Sequence, residues 1–303
     1  MIHGFVVIDK PAGITSHDVV SRVRRILGTR KVGHTGTLDP FATGVLPIAV
    51  NDGTKAIPFL DEGIKCYEAL MQLGVATDTL DMTGTVLREC DFSSVSEMQL
   101  PEVFTRFTGP ILQIPPMYSA IKQGGQPLYK LARIGQEVER APRPVEIHSI
   151  ELLSFAPPFV SIRVSCSRGT YVRTLADDIG KVIGCGAALK ELRRTASGPF
   201  EIRAAHTLEE LERAVSEGRV PSLCITPYDS LAHLPDIPLT EGGLAKISFG
   251  RSPLWSETTV EGGTLPDGTT LVRLSRNGAL VAVATLSHTG DDLPGIVLKR
   301  VFI

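Results

Sequence analysis

The carboxylate with the best sequence context for chemistry is Asp39, in a segment from residue 33 to 44 that is rich in glycine and threonine. Asp39 directly precedes Pro40, and a following proline biases the backbone toward an extended conformation. Glycines let this segment turn tightly or approach a ligand closely. A carboxylate held there could act as a nucleophile or a base. The plainer alternatives are a turn or capping role for Asp39 and a locally hydrogen-bonded imidazole for His34.

Arg173 is the second candidate, because it follows a Gly169-Thr170 turn at the predicted start of a helix. The helix dipole disfavours a cation in the first turn, so an arginine there indicates an anionic partner. If that partner is Asp39, pairing would lower the pKa of its carboxyl below the ordinary value of about 3.9. The carboxyl would then be ionised at neutral pH. Asp177, one helical turn further on, is the alternative partner, and the sequence alone leaves both open.

Other side chains could hold a nucleobase or an RNA backbone. Tyr67 lies on a predicted strand, as either a core aromatic or a flat surface for stacking. Leu192 lies in the charged run 190–194, which predicts a helix with Leu192 in the core and the neighbouring charges in solvent. Basic side chains between residues 113 and 144 could bind phosphates; they are Lys122, Lys130, Arg133, Arg140 and Arg143.

The cysteines and histidines do not form a metal-site pattern. The five cysteines are scattered without a Cys-x-x-Cys pair, and the seven histidines each stand alone. The sequence also lacks the Gly-x-x-x-x-Gly-Lys-Ser/Thr phosphate loop and the Gly-x-Gly-x-x-Gly dinucleotide motif. We therefore expect chemistry without a metal, ATP or a dinucleotide, and predict no cofactor.

Local signals predict the elements that would position these residues. Thr15 and Asp18 form a capping pair before a helix whose apolar spacing ends at Gly28. The other predicted elements are a strand over residues 5–8, strands over 66–73 and 161–167, a helix from about Arg173 to Gly184, and an exposed, partly helical excursion over 113–144.

The length of 303 residues favours two domains. A polar stretch with prolines between residues 235 and 240 is the predicted boundary. Short strands follow it, predicted over residues 271–274, 280–286 and 296–302. We therefore predict an α/β catalytic domain with a mixed, mainly antiparallel sheet flanked by helices over residues 1–237, and a small β-rich domain over 238–303.

The formal net charge of −2 conceals an uneven distribution. Residues 1–60 and 111–200 carry net charges of +3 and +5, whereas 61–110 and 201–240 carry −6 and −4. We expect the two basic blocks to meet in space and face phosphates, with the acidic blocks turned away. Ordinary solvated surface is the alternative interpretation.

The N-terminal residues resemble no signal peptide, because Asp9 and Lys10 interrupt the first short apolar run. No later stretch approaches about 18 uncharged apolar residues. We expect a cytoplasmic protein without a membrane partner, and nothing in the sequence indicates more than a monomer.

Four segments, taken together and in unbroken order, resemble the bacterial tRNA pseudouridine-55 synthases, the TruB family. They are residues 10–16, residues 33–46, residues 113–122 (QIPPMYSAIK) and residues 166–174 (CSRGTYVRT). The resemblance runs from about residue 2 to 230, and the tail after about 238 is loosely similar to the family's PUA-like RNA-binding domain. It implies isomerisation of one uridine in the T loop of tRNA to pseudouridine, with no cofactor.

The resemblance also implies roles for individual residues. Asp39 matches the family's catalytic aspartate, Tyr67 its base-stacking tyrosine and Arg173 the arginine paired with the aspartate. Residues 113–144 look like the mobile insertion that closes over the T loop and grips the RNA. The implied substrate-binding residues are Tyr171 and Leu192 around the base, His34 in the space left by flipped-out bases, and Lys10 and Lys122 in the matching segments.

Three other functions compete with this interpretation. The first is a guide-dependent pseudouridine synthase of the dyskerin type, which would have long basic extensions that this sequence lacks. The second is a tRNA-folding chaperone whose chemistry is incidental. The third is a glycoside hydrolase, which normally needs two facing carboxylates, whereas only Asp39 stands out. Whether Asp39 would attack C1′ or remove a proton from C2′ is open at this point.

Overall fold

The computed structural model describes residues 2–260, 268–287 and 295–303. The strands are β1 (Gly4–Lys10), β2 (Val32–His34), β3 (Thr43–Val50), β4 (Ile64–Leu73), β5 (Val75–Thr77), β6 (Val86–Glu89), β7 (Gly109–Gln113), β8 (Lys122–Gln123), β9 (Gln126–Pro127), β10 (Arg143–Ala156), β11 (Phe159–Ser167), β12 (Ala187–Ser197), β13 (Phe200–Glu201), β14 (Ala205–His206), β15 (Asp236–Pro238), β16 (Leu271–Arg276), β17 (Ala279–Ser287) and β18 (Gly295–Val301). The helices are α1 (Ser16–Leu27), α2 (Gly53–Ala56), α3 (Leu100–Thr105), α4 (Leu128–Arg133), α5 (Val172–Ile183), α6 (Leu208–Ser216), α7 (Pro227–Ser230) and α8 (Glu241–Ser248).

A large mixed sheet forms the first part of the chain. Its strand order is β14-β1-β3-β12-β4-β11-β10-β7, with β13 added on β12 and β2 on β3. Only the β1–β14 and β3–β12 pairs are parallel, and the remaining pairs are antiparallel. The predicted α/β class with a mixed, mainly antiparallel sheet is therefore confirmed.

Helices cover one face of this sheet. Apolar side chains of α1, α5 and α6 pack against inward-facing strand residues such as Ile8, Leu46 and Met71. On the opposite face of β1 and β3, Phe5 and Val45 pack against apolar residues of the later chain. The helix-covered face thus carries the core that includes Tyr67 of β4 and Leu192 of β12.

The locally encoded elements form where the sequence predicts them. The Thr15 hydroxyl accepts a hydrogen bond from the Asp18 amide and the Asp18 carboxylate accepts one from the Thr15 amide, so the predicted capping box starts α1. Gly28 ends α1 in the left-handed region, with φ of 61°. The alternating burial of β4 places Tyr67 on its buried face.

The helix expected around Leu192 is wrong, because residues 187–197 form the central strand β12. β12 lies between β3 and β4 and pairs antiparallel to β4 over most of its length. A composition of Lys, Glu, Leu and Arg favours a helix, but pairing on both edges in a sheet overrides that local preference. The glycine- and threonine-rich segment around Asp39 is a loop only after His34, since Val32–His34 pairs with β3 as β2.

A second sheet of order β15-β16-β17-β18 follows the large one. The three strands expected after residue 270 are present as β16, β17 and β18, and Asp236–Pro238 adds a parallel edge strand. The predicted domain over 238–303 includes residues 261–267 and 288–294, which lie outside the described residues. Within the described chain, no helix is long and apolar enough to cross a membrane.

Gly180 allows the close approach of α5 to the start of β12. A Cβ placed on Gly180 would lie 2.1 Å from the backbone nitrogen of Ala187. We therefore expect Gly180→Ala to lower the free energy of unfolding by about 2–3 kcal/mol, measured by urea denaturation.

The matched control for that change is Gly242→Ala in α8, where the nearest outside atom to an added Cβ is the Thr240 hydroxyl at 3.7 Å. Because alanine has the higher helix propensity, this control should be neutral or stabilising by up to about 1 kcal/mol. Equal destabilisation by the two changes would contradict the close-packing explanation.

Candidate active site

A cavity of about 2000 Å³ collects most of the predicted site residues. The loop after β2, the strands β4 and β12, and the start of α5 all reach its wall. The predicted residues that line it are His34, Asp39, Tyr67, Tyr171, Arg173 and Leu192. Lys10 and Lys122 are not among the lining residues.

The carboxylate of Asp39 and the guanidinium of Arg173 form an ion pair in this cavity. Arg173 Nε lies 2.9 Å from Asp39 Oδ2, and Arg173 Nη2 donates a hydrogen bond of 3.2 Å to Asp39 Oδ1. The side chain of Arg173 is 3% exposed and that of Asp39 35% exposed, so the carboxylate is the group that faces an incoming ligand. The alternative partner of Arg173, Asp177, pairs instead with Lys181 at 2.5 Å.

Arg173 also fixes two neighbouring segments. Its Nη1 donates to the carbonyl of Thr79 at 2.8 Å, and its Nη2 donates to the carbonyl of Tyr118 at 2.7 Å. The first carbonyl belongs to the turn after β5, and the second to the segment that leads into the β8–β9 excursion. One buried guanidinium therefore holds the Asp39 loop, this turn and the base of the excursion together.

Asp81 is a site residue that the sequence interpretation missed. Its carboxylate is buried and lies 3.6 Å from Arg173 Nη1. Asp81 Oδ1 also accepts hydrogen bonds from the Thr79 hydroxyl and the Thr83 amide, both at 2.9 Å. The run 78–84 has the same mixture of Asp, Thr and Gly as the segment around Asp39, and that similarity is the signal that could have indicated it.

The expectation that the acidic block 61–110 faces away from the site is therefore wrong in part. Glu68, Asp78 and Asp81 all line the cavity. The physical reason is topological: β4 runs through the middle of the large sheet, and the turn after β5 packs back against β12 through a bridge between Asp81 and Leu189.

The pKa of the Asp39 carboxyl is shifted opposite to the sequence-based expectation. Burial raises this pKa above its ordinary value, and the nearby Asp81 carboxylate adds to the rise. Arg173 and Lys10 favour the ionised form and oppose the rise without reversing it. Arg173 thus limits the rise in the pKa of the Asp39 carboxyl. It does not lower this pKa below that of free aspartate.

Tyr67 and Leu192 form a buried apolar wall, exposed by 7% and 6% respectively. They lie on adjacent strands and face the same side of the sheet, since Tyr67 pairs with Arg194 and Ala69 with Leu192. Burial raises the pKa of the Tyr67 phenol, which is therefore neutral at neutral pH. A flat ring and a branched aliphatic side chain at one cavity wall suit an aromatic ligand.

Arg194 lies beside the Tyr67 hydroxyl and corrects in part the expectation that the charges around Leu192 are solvated, which holds for the exposed Lys190 and Glu191. Arg194 is fully buried. Its Nε donates to the carbonyl of Val45 at 2.8 Å and its Nη2 to the carbonyl of Gly36 at 2.9 Å. The guanidinium thereby ties β12 to β3 and to the loop that carries Asp39.

His34 and Tyr171 complete the predicted lining. Burial and the positive charge of Arg194 lower the pKa of the His34 imidazole, so its ring is neutral at neutral pH. The backbone of Tyr171 is held by Gln113, whose side-chain amide donates to the Tyr171 carbonyl at 3.1 Å and accepts from the Tyr171 amide at 2.8 Å. This pair of hydrogen bonds attaches the end of β7 to the start of α5.

Lys10, which the resemblance assigns to RNA binding, is buried in the structure, and its role in RNA binding stays a prediction. Lys10 is 0% exposed, and its ammonium donates hydrogen bonds to the carbonyls of Pro11, Ile14 and Pro40 at 2.7–3.1 Å. Burial lowers the pKa of Lys10 to about 8. Lys10 therefore braces the turn after β1 against the Asp39 loop. Its sequence neighbours Pro11 and Gly13 indicated a turn, but not that the lysine would point inward.

Lys122 lies on the excursion over residues 113–144, which connects β7 to β10 and contains the β8–β9 hairpin and α4. Lys122 is exposed and makes no ion pair in the described part of the chain. From the same excursion, Tyr129 and Arg133 reach the cavity wall, with the guanidinium 5.5 Å from the ring centroid. The excursion thus adds a cationic and aromatic rim to the cavity.

Among the described residues no group of three or more His, Cys, Asp or Glu side chains could hold a metal ion.

Comparisons with known proteins agree with the motifs. The N-terminal domain of the TruB family of pseudouridylate synthases matches residues 24–172, and the tRNA pseudouridylate synthase B C-terminal domain matches residues 173–232. The chain is 54% identical to the tRNA pseudouridine synthase B of Geotalea uraniireducens, over 99% of this chain and 97% of that protein. It is 52% identical to the protein of the same name from Geobacter sulfurreducens, over 99% of both.

Solved structures show the same architecture. The chain is similar to a structure described as a Cbf5-Nop10-Gar1 complex, with a TM-score of 0.75 and 29% identity over 99% of this chain and 85% of the other. An archaeal box H/ACA sRNP Nop10-Cbf5 complex gives a TM-score of 0.74 and 28% identity over 99% of this chain and 86% of the other. The similarity extends over the second sheet as well as the first.

Proposed function

The chain belongs to the TruB family of pseudouridylate synthases, which are isomerases that act on tRNA, and we propose that it converts uridine 55 in the T loop to pseudouridine. The observation that supports this most directly is the partly exposed carboxylate of Asp39, ion-paired to buried Arg173 in the cavity that the Tyr67–Leu192 wall also lines. A base enters such a cavity only after leaving its stack. The wall would receive the flipped uracil while Asp39 faces its ribose.

The proposed reaction breaks the bond between C1′ and N1 of uracil and forms a bond between C1′ and C5. N1 gains a proton and C5 loses one, so the isomerisation is redox-neutral. Asp39 would either attack C1′ or remove a proton from C2′ to give a glycal-like intermediate. Each route needs the carboxylate in its ionised form, and Arg173 supports that form by its two nitrogen contacts.

The detached uracil must stay in place while it turns, and the cavity offers side chains for this. Tyr67 would stack on the base, Leu192 would pack against it, and Tyr171 would border the bound nucleotide. Residues 113–144 would close over the T loop and restrict water access. The contact of Arg173 with the Tyr118 carbonyl supports a link between that closure and the position of Asp39.

The partners follow from the same proposal. The T stem-loop of tRNA would contact the excursion through exposed cations such as Lys122, and His34 would occupy space left by flipped-out bases. Residues 238–303 would act as a PUA-like RNA-binding domain. We propose a cytoplasmic monomer that needs no cofactor, no metal and no membrane.

The test is to incubate the purified chain with an unmodified tRNA transcript and map pseudouridine at single-nucleotide resolution. We expect modification at position 55 and at no other uridine of the T stem-loop. The similarity to Cbf5 complexes makes a guide-dependent enzyme the relevant alternative. Conversion that requires added guide RNA and partner proteins would favour that alternative and contradict the proposal.

The raised pKa of Asp39 predicts the pH dependence of this reaction. Only the ionised carboxylate is competent, so the single-turnover rate should fall as pH decreases through the folded-state pKa of Asp39, which lies above 3.8. Asp81→Asn removes a neighbouring negative charge, which lowers that pKa and moves the acidic limb of the pH–rate profile to lower pH.

The control for this shift is Asp91→Asn, because Asp91 is exposed and its carboxylate accepts local hydrogen bonds from Ser93. Its profile should coincide with that of the wild type. A shift of the Asp81→Asn limb toward higher pH would show that Asp81 acts on Asp39 chiefly by orienting Arg173.

A further inference from the structure

We propose that Lys65, together with the positive charge of Arg194 and the free ring nitrogen of His34, forms a subsite for one backbone phosphate of the bound RNA. The inference rests on the proposed function, because it assumes that RNA enters the cavity. The steps proposed for the isomerisation do not involve the buried cation of Lys65, and the subsite gives this cation a ligand.

Lys65 has an unusual position for a lysine. It is 8% exposed and lies on the same buried face of β4 as Tyr67, two residues away. Its side chain forms part of the cavity wall. A Cβ placed on Gly36 would lie 2.5 Å from Lys65 Nζ, so the ammonium sits directly against the loop that carries Asp39.

The ammonium of Lys65 has no protein counter-ion close to it. In the described residues, Nζ has no hydrogen bond and no carboxylate within 4.0 Å. The charges that act on it include two cations, Arg194 and Arg168, which outnumber the single carboxylate of Glu62. Burying a cation without a partner is costly, and burial accordingly lowers the pKa of Lys65. An anion brought by the ligand would offset this cost.

Neighbouring groups converge on the same point. Arg194 Nη1 would lie 3.4 Å from a Cβ on Gly36, so two cations flank this glycine. His34 Nδ1 is buried without a hydrogen-bond partner in the described structure, and the ring lines the same cavity. Two positive charges and a nearby imidazole nitrogen match a phosphate, which is an anion with several acceptor oxygens. A neutral uracil would leave the charge uncompensated.

The position of Lys65 on β4, two residues from Tyr67, indicates which part of the bound RNA it would contact. Side chains two residues apart on one face of a strand are about 7 Å apart, which is close to the distance between a base and the phosphates of its own or the adjacent nucleotide. A base stacked on Tyr67 would therefore bring a phosphate of the target loop toward Lys65. Gly36, with φ of 69° and no side chain, lets the Lys65 ammonium lie directly against the loop that carries Asp39.

The experiment is a neutralisation scan of the RNA combined with mutation of Lys65. T stem-loop RNAs, each with one loop phosphate replaced by a methylphosphonate, are titrated with wild-type protein and with Lys65→Gln. We expect one or two positions at which neutralisation weakens wild-type binding roughly tenfold but does not weaken binding by Lys65→Gln. Lys65→Arg should retain the wild-type pattern, because it keeps the charge.

Salt dependence gives an independent measurement on the same proteins. Loss of one phosphate contact should reduce the slope of log Kd against log salt concentration by about 0.7–0.9 for Lys65→Gln. The matched control is Lys181→Gln, because Lys181 is exposed and lies roughly 12 Å along α5 from Arg173 at 1.5 Å per residue. Its slope and its scan should equal those of the wild type.

Two results would overturn the phosphate subsite. One is a scan in which every methylphosphonate weakens wild type and Lys65→Gln equally. The other is a wild-type scan in which no loop phosphate matters, and this result holds even if Lys65→Gln does not fold. Pseudouridine formation by the wild type on the unsubstituted RNA is measured alongside. Its absence would refute the proposed function, whereas its presence with a uniform scan would refute only the role of Lys65.

Discussion

Asp39→Asn is expected to abolish pseudouridine formation while the affinity for T stem-loop RNA stays within a few-fold of the wild type. Asparagine has the same shape as aspartate but cannot supply a carboxylate as nucleophile or base. Because the nearby Asp81 carboxylate is itself buried and directed at Arg173, it should not replace Asp39, and the loss should be on the order of 10⁴-fold or more in the single-turnover rate.

A second variant separates charge from position. Asp39→Glu keeps the charge but moves the carboxylate by about one methylene, away from the two Arg173 nitrogens that hold it. A displacement of about 1 Å can cost roughly 100-fold in rate, so we expect Asp39→Glu to fall between wild type and Asp39→Asn.

The measurement is the rate of pseudouridine formation in the RNA under single-turnover conditions, with Kd determined separately by titration. Asp61→Asn is the control, because Asp61 is exposed and its carboxylate accepts a local hydrogen bond from Gly63. A rate for Asp39→Asn within tenfold of the control would refute the role of Asp39.

Features that depend on neighbours in sequence could be predicted well. The capping box of α1, the alternating burial of β4 and the α5 helix each rest on signals that span a few residues. A local anomaly, a cation in a first helical turn, indicated that Arg173 has an anionic partner but left Asp39 and Asp177 both open, and only the family resemblance favoured Asp39. The association of Arg173 with Asp39 is non-local, but the electrostatic need for a partner is visible in sequence.

Features that depend on strand order could not be predicted. Lys10, Lys65 and Arg194 are buried because β1, β4 and β12 lie inside a sheet whose partners are distant in sequence. A lysine or arginine in a single sequence is assigned to solvent by default, since charged residues are rarely buried. The helix expected around Leu192 was wrong for the same reason, because pairing with β3 and β4 decides its conformation.

The pKa of the Asp39 carboxyl is not determined by its ion pair with Arg173 alone. The sequence indicated the cation, which lowers the pKa. It did not indicate the burial or the nearby Asp81, which together raise it by more. Knowledge of which groups surround a carboxylate requires the packing of segments far apart along the chain.

Arg173→Lys is expected to impair both stability and catalysis, although it preserves the charge. The guanidinium uses three nitrogens to contact Asp39, the Thr79 carbonyl and the Tyr118 carbonyl. A lysine ammonium is one nitrogen on a flexible stem and cannot satisfy that set. Because the group is 3% exposed, a carbonyl left unpaired there is poorly hydrated, and we expect a loss of about 2–4 kcal/mol in the free energy of unfolding.

The matched control is Arg163→Lys. Arg163 also contacts two acidic residues, Glu68 and Glu151, but its side chain is 48% exposed. Exposed pairs contribute little, so this change should alter the free energy of unfolding by less than about 0.5 kcal/mol and leave the rate unchanged. Equal effects of the two substitutions in urea denaturation would contradict the special importance of the buried site.

The pH–rate profile distinguishes a positioning role of Arg173 from a merely structural one. A looser cation stabilises the Asp39 carboxylate less, so the pKa of Asp39 should rise further and the acidic limb of Arg173→Lys should move to higher pH. At neutral pH we expect a rate lower by roughly 10²–10³-fold, because the carboxylate also loses its fixed orientation. A rate reduced by unfolding alone would recover at low temperature and keep the wild-type profile. A shifted limb in fully folded protein therefore shows that Arg173 sets the charge and the position of Asp39.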